Sequence, residues 1–137
     1  MITLGRRYRF NAAHVLARLD WSPERNQAVY GKCANPAGHG HNYELHVTVC
    51  GEPDPETGML LPAGKLDEIV VGRVVSQLHG KLLNRDVPAF EKEVPTAENI
   101  SRFAWRALEG QVAPAKLWRV RLVETSNSAV ECGEESR

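Results

Sequence analysis

The sequence predicts an α+β domain, one antiparallel sheet carrying helices on a single face. Three observations predict it. Apolar and polar residues alternate at period two toward both ends of the chain. Two segments between them carry apolar stripes at helical spacing. The resulting order is strand, strand, helix, helix, strand, strand. The 137 residues contain no internal repeat and no linker rich in Pro, Gly or Ser, so residues 1–137 read as a single domain.

In chain order, residues 2–13 place Leu4, Tyr8, Phe10 and Ala12 on one parity, which predicts a strand. Residues 16–38 contain Pro23, Gly31, Pro36 and Gly38 and read as a long loop, the kind of segment that often carries function. From His41 to Cys50, Tyr43, Leu45, Val47 and Val49 alternate with Glu44, His46 and Thr48 as a half-buried strand. Gly51–Gly58 is a turn, after which Met59–Leu61 are expected to resume a short strand. Leu66, Ile69, Val70, Val74 and Leu78 line one face of a helix over 64–79. A second helix starts at Thr96, an N-cap following Pro95, with Glu98 in its first turn and Ile100, Phe103, Ala104, Ala107 and Leu108 as its stripe. Residues 116–124 form a strand with Trp118, Val120 and Leu122 on one face; a last strand covers Ala129–Cys132, and Gly133–Arg137 fray.

Composition narrows the function. With 42% hydrophobic and 25% charged residues the chain is ordinary globular protein, not disordered or fibrous. No apolar run approaches the ~18 residues of a transmembrane helix. Arg6 and Arg7 have no apolar segment behind them, so no secretory signal is expected. Seventeen Lys and Arg balance seventeen Asp and Glu, which removes any general attraction to nucleic acid or an anionic membrane. Three cysteines (33, 50 and 132) form no closed disulfide framework, and a reducing cytoplasm is expected. A chain this short buries a modest core, which oligomerisation commonly supplements.

The chemistry concentrates in histidines. His39-Gly40-His41 has the i, i+2 spacing that puts both imidazoles on one face of an extended segment, on the parity of Tyr43, Leu45, Val47 and Val49. His14 shares parity with Tyr8, Phe10 and Ala12. If both apolar faces turn inward and the strands pair, three imidazoles converge at one end of the core. Three neutral imidazoles with one open position make a catalytic zinc site. An isolated His-x-His pair is more often a surface feature, so spacing alone leaves both readings open. His46, of opposite parity, reads as an exposed strand residue. Cys33 lies in the long loop six residues before His39, with Lys32 beside it. Lys32 and a nearby zinc would favour its thiolate as an acid/base group, while the plainer reading is an incidental thiol. Cys50 and Cys132, in or beside strands, read as structural.

Phe10-Asn-Ala-Ala-His14 and Tyr30-Gly-Lys-Cys-Ala-Asn-Pro-Ala-Gly-His-Gly-His-Asn-Tyr43 together resemble the 6-pyruvoyl-tetrahydropterin synthase family, which includes 6-carboxy-tetrahydropterin synthases. The resemblance continues through Gly51–Met59, Asp86–Phe90, Pro95–Asn99 and Val123–Thr125. It implies the tunnelling (T-) fold, a four-stranded antiparallel sheet with two helices, assembled as trimers that pair into a homohexamer with active sites between subunits. It implies that His14, His39 and His41 ligate Zn2+, that Cys33 is catalytic, that Glu124 anchors a small-molecule pterin, and that Thr96 and Glu98 flank the pterin pocket. A carboxylate suits that role because it accepts two parallel N–H bonds from a 2-amino-pyrimidinone edge. The implied reaction removes triphosphate from 7,8-dihydroneopterin triphosphate and shifts hydrogens to leave a 6-pyruvoyl group. Lys81, Arg85, Lys32 and Arg25 are the candidates to hold the triphosphate.

The sequence departs from the family at two places. Where the family reads Leu-Asp-His-Lys, this chain reads Leu78-His79-Gly80-Lys81, so the Asp–His pair that activates the cysteine is missing. His79 either takes over the relay, or favours the helix C-terminal dipole with Gly80 as its cap. Lys65 replaces an Asp expected to cap the first helix, a local cost of roughly 1 kcal/mol. A zinc-dependent lyase is the expected activity. A related lyase giving a carboxy or side-chain-cleaved product, or a weakly catalytic zinc- and pterin-binding protein, are the alternatives.

Overall fold

The computed structural model describes residues 1–134. Five strands build one sheet: β1 (Ile2–His14), β2 (His39–Gly51), β3 (Lys81–Leu82), β4 (Lys116–Thr125) and β5 (Ser128–Gly133), in the order β3-β1-β2-β4-β5. The four long strands pair antiparallel, as expected. The fifth corrects the expected count. β3 runs parallel to β1 for two residues, Lys81 opposite Ala12 and Leu82 opposite Ala13, which is too short to leave an alternation in sequence. Gly133 belongs to β5 rather than to a frayed end, and residues 135–137 lie outside the described residues.

The register puts one parity of each strand on the covered face. Tyr8 opposes Leu45, Phe10 opposes Tyr43, and Leu45 and Val47 oppose Leu122 and Val120. All are buried. A bulge between Thr48 and Val49 shifts β4 by one residue, so Leu117, not Trp118, faces the core. The single-period reading of residues 116–124 has no place for that extra residue.

Helices α1 (Pro23–Tyr30), α2 (63–78), the single turn α3 (Leu83–Asp86) and α4 (Ala97–Leu108) complete the fold. The long loop expected over 16–38 therefore contains a helix. Ser22 Oγ accepts the Arg25 N–H at 3.1 Å and Pro23 occupies the first position, so start signals are present. Asn26 is the one buried residue of α1, so no apolar stripe marked it. Met59–Leu61 form a bend rather than a strand, with Leu60 and Leu61 buried in the core.

Leu66, Val70, Val74 and Leu78 of α2 are all fully buried, although a four-residue spacing drifts ~40° per step around an α-helix. A π turn over Val71–Val75 takes up that drift and keeps the stripe on the sheet. Lys65 is the third helical residue, not the cap, which is Pro62; no side chain caps this end. Helix α4 begins as expected: Thr96 Oγ1 accepts the Asn99 N–H at 3.2 Å, and Ile100, Ala104 and Leu108 are buried.

Candidate active site

β1 and β2 end together, with His14 opposite His39 and His41 opposite Ala12. The small Ala12 leaves room beside the His41 ring. The three imidazoles converge, with ring centroids 4.6, 4.9 and 5.1 Å apart and one nitrogen from each within 4.8 Å of the others. His14 is buried, whereas His39 and His41 are half-buried and leave one side open.

The donor set fits a metal. The Pro95 carbonyl lies 2.7 Å from His14 Nδ1, and a carbonyl can only accept, so Nδ1 carries the proton. His14 Nε2 is then a bare lone pair, 3.0 Å from His39 Nε2. A carbonyl that fixes the tautomer in this way is the usual outer support of a metal-bound histidine. Burial lowers the His14 pKa to about 4, so the ring is neutral at pH 7. Burial and the neighbouring His41 also hold His39 below its ordinary value, against the pull of Glu124. Neutral imidazoles are the ligating form.

Tyr43 forms the floor, stacked on Phe10 at 5.0 Å with its ring edge against His41. Burial pushes its hydroxyl pKa well up and the Glu124 charge adds to this, so the hydroxyl stays protonated. Glu124 follows Leu122 on the same face of β4 and is half-buried. None of the described residues donates a hydrogen bond to its carboxylate.

Cys33 sits half-buried in a one-turn 3-10 helix, Gly31–Ala34, directly after α1. Its carbonyl accepts the Leu16 N–H at 2.8 Å, which ties the turn to the chain two residues beyond His14. Gly38 closes the path from this turn to His39 with φ +75°, and a Cβ there would stand 3.4 Å from the His14 carbonyl. The thiol is not a member of the histidine cluster.

His79 lies elsewhere. It is exposed at the end of α2, its Nδ1 accepts the Asn11 N–H at 3.2 Å, and it shares a cleft of about 430 Å³ with Arg9, Asn42 and Glu44. Those residues have the parity opposite to His14 and His41, so His79 faces the other side of the sheet. Gly80 has the positive φ of a helix-ending glycine, +72°, but its N–H goes to the Asn11 carbonyl at 2.7 Å and starts β3. Thr96 is occupied as the α4 cap, and Glu98 is exposed in the first turn. Among the basic candidates, Arg85 is paired with Asp86 and Arg25 lies 3.9 Å over Trp21. Lys81 lines a cleft of about 380 Å³ that also contains His41. A cavity of about 760 Å³ between Trp21 and Phe90 contains none of the site residues named from the sequence. Sequence reasoning missed the Pro95 carbonyl, which nothing local connects to His14.

The family model for 6-pyruvoyl tetrahydropterin synthase matches residues 3–135. The chain belongs to this family. The orangutan (Pongo abelii) 6-pyruvoyl tetrahydrobiopterin synthase is 40% identical over 127 residues, 93% of this chain and 88% of the relative. The Dictyostelium discoideum protein of that name is 37% identical over 129 residues, covering 94% and 93%. The Caenorhabditis elegans 6-pyruvoyl tetrahydropterin synthase structure superposes with a TM-score of 0.90 at 31% identity, covering 98% of this chain and 96% of its own. The expected tunnelling fold is thus the fold of a 6-pyruvoyl tetrahydropterin synthase family member, with the short parallel strand β3 added to the expected sheet.

Proposed function

We propose that this family member is a zinc-dependent lyase that removes triphosphate from 7,8-dihydroneopterin triphosphate to give a 6-pyruvoyl pterin. The observation that carries the reading is the histidine cluster, three converging imidazoles with one side open and the deepest fixed by the Pro95 carbonyl. Zinc held by His14, His39 and His41 would polarise side-chain oxygens of the substrate and acidify the adjacent C–H.

The chain's own residues do the rest. Glu124 accepts two N–H bonds from the pterin edge, a role its uncommitted carboxylate suits. Thr96, whose oxygen already accepts from Asn99, keeps its O–H to donate at the pocket rim, with Glu98 beside it. Cys33 takes a proton from the substrate side chain and returns it further along, while the C–O bond to phosphate breaks and triphosphate leaves with the electron pair. The hydrogens move within the substrate, so no outside oxidant is needed. Lys81 and Lys32 hold the triphosphate; neither has an ion-pair partner among the described residues.

His79 faces away from the site of its own chain, so it serves the Cys33 of a neighbouring subunit. That requires an oligomer, a homohexamer of paired trimers with shared sites. Three free thiols suit a reducing cytoplasm. The missing Asp–His pair favours a second reading, a pterin lyase of the same fold with a different product.

Mixed subunits test the arrangement. Cys33→Ala and His79→Ala chains should each bind zinc and yield no product, and co-assembled chains should regain activity. Failure of the mixture to recover, with each variant folded and assembled, would remove His79 from the site.

A further inference from the structure

At the end of β1 a side chain takes over from the sheet. β3 accompanies β1 only as far as Ala13. The chain then leaves the ladder: the Leu82 N–H goes to Asp86 Oδ2 at 3.0 Å, and α3 closes with Leu83 fully buried. The backbone of β3 therefore offers nothing to Val15. Asn84 does, because its Oδ1 accepts the Val15 N–H at 2.8 Å and its Nδ2 donates to the Val15 carbonyl at 2.9 Å. One planar carboxamide holds an acceptor and a donor side by side, so it stands in for the two bonds a continued strand would supply. A carboxylate keeps the first bond but sets its other oxygen against the carbonyl. An alanine makes neither.

Val15 is the middle of three residues that each hold a different part of the site. His14 before it contributes an imidazole to the cluster. Leu16 after it gives its N–H to the Cys33 carbonyl at 2.8 Å. We propose that Asn84 is a positioning residue of this site: by fixing Val15 on both sides it sets the spacing between the His14 imidazole and the Cys33 turn. The inference rests on the reading of His14 as a metal ligand and Cys33 as the reacting thiol. Asn84 lies outside the histidine cluster and acts through Val15.

The test compares the full-length protein with Asn84→Asp, which keeps the volume and one hydrogen bond, and with Asn84→Ala. The chain carries its own controls, because Cys50 is buried in β2 and Cys132 sits half-buried in β5. In zinc-free protein, alkylation of each cysteine is followed by peptide mass spectrometry; zinc affinity is then measured by competition with a chromogenic chelator. Cys33 should react several-fold faster in both variants with Cys50 and Cys132 unchanged, and zinc binding should weaken about tenfold, the low end for loss of outer support. Unchanged Cys33 rate and zinc affinity in a folded variant would overturn the proposal, as would all three cysteines accelerating by one factor. A wild type that binds no zinc would instead overturn the metal reading, and the Cys33 rates alone would then decide the role of Asn84.

Discussion

Replacing His14 by asparagine removes a buried imidazole while keeping an N–H for the Pro95 carbonyl. In zinc-free wild type, burial lowers the pKa of that imidazole to about 4, from an ordinary 6.5. The folded value lies below the unfolded one, so the unfolded chain takes up the proton first. Stability present above pH 6.5 is therefore lost as the pH falls toward 4. The loss from His14 is about 2 kcal/mol at pH 5 and approaches about 3 kcal/mol below pH 4. Urea denaturation with a chelator present, at pH 7.5 and pH 5 and one fixed protein concentration, measures it. His39 is shifted the same way and remains in both proteins, so the difference isolates His14. Wild type should lose about 2 kcal/mol more than His14→Asn between the two pH values. Equal pH dependence in the two proteins would refute the buried, neutral imidazole.

Two further substitutions probe neighbouring parts of the site. Gly38→Ala forces a Cβ onto a residue at φ +75° and 3.4 Å from the His14 carbonyl; it should destabilise by about 1–2 kcal/mol in thermal or urea unfolding and weaken zinc binding with it. Glu124→Gln removes one acceptor of a charge-assisted pair, so a non-reactive pterin followed by fluorescence should bind roughly 10- to 100-fold more weakly.

Much of this site is legible in the sequence because antiparallel pairing transmits parity. Once β1 and β2 pair with Phe10 opposite Tyr43, His14 and His39 must meet on the covered face, and His41 joins them one step away. α4 is legible for a similar reason, since its cap and its stripe agree. Segments whose order comes from single polar contacts leave no such pattern. α1 is tied to the segment before it by Asn26, which bonds both the N–H and the carbonyl of Arg18, at 2.8 and 3.0 Å. The Pro95 carbonyl reaches His14 across 81 residues of chain, and Asn84 reaches Val15 across 69. Periodicity carries no information about such contacts. His79 is a different case: its position is plain in the sequence, but the Asn11 N–H at the sheet edge decides which side it faces.

The proposed activity is tested most directly by identifying the product. Zinc-loaded protein incubated with 7,8-dihydroneopterin triphosphate should yield, by mass spectrometry, a 6-pyruvoyl pterin together with inorganic triphosphate, and both should vanish in Cys33→Ala while zinc stays bound. Intact substrate after incubation with the zinc-bound wild type, or equal turnover in Cys33→Ala, would contradict it.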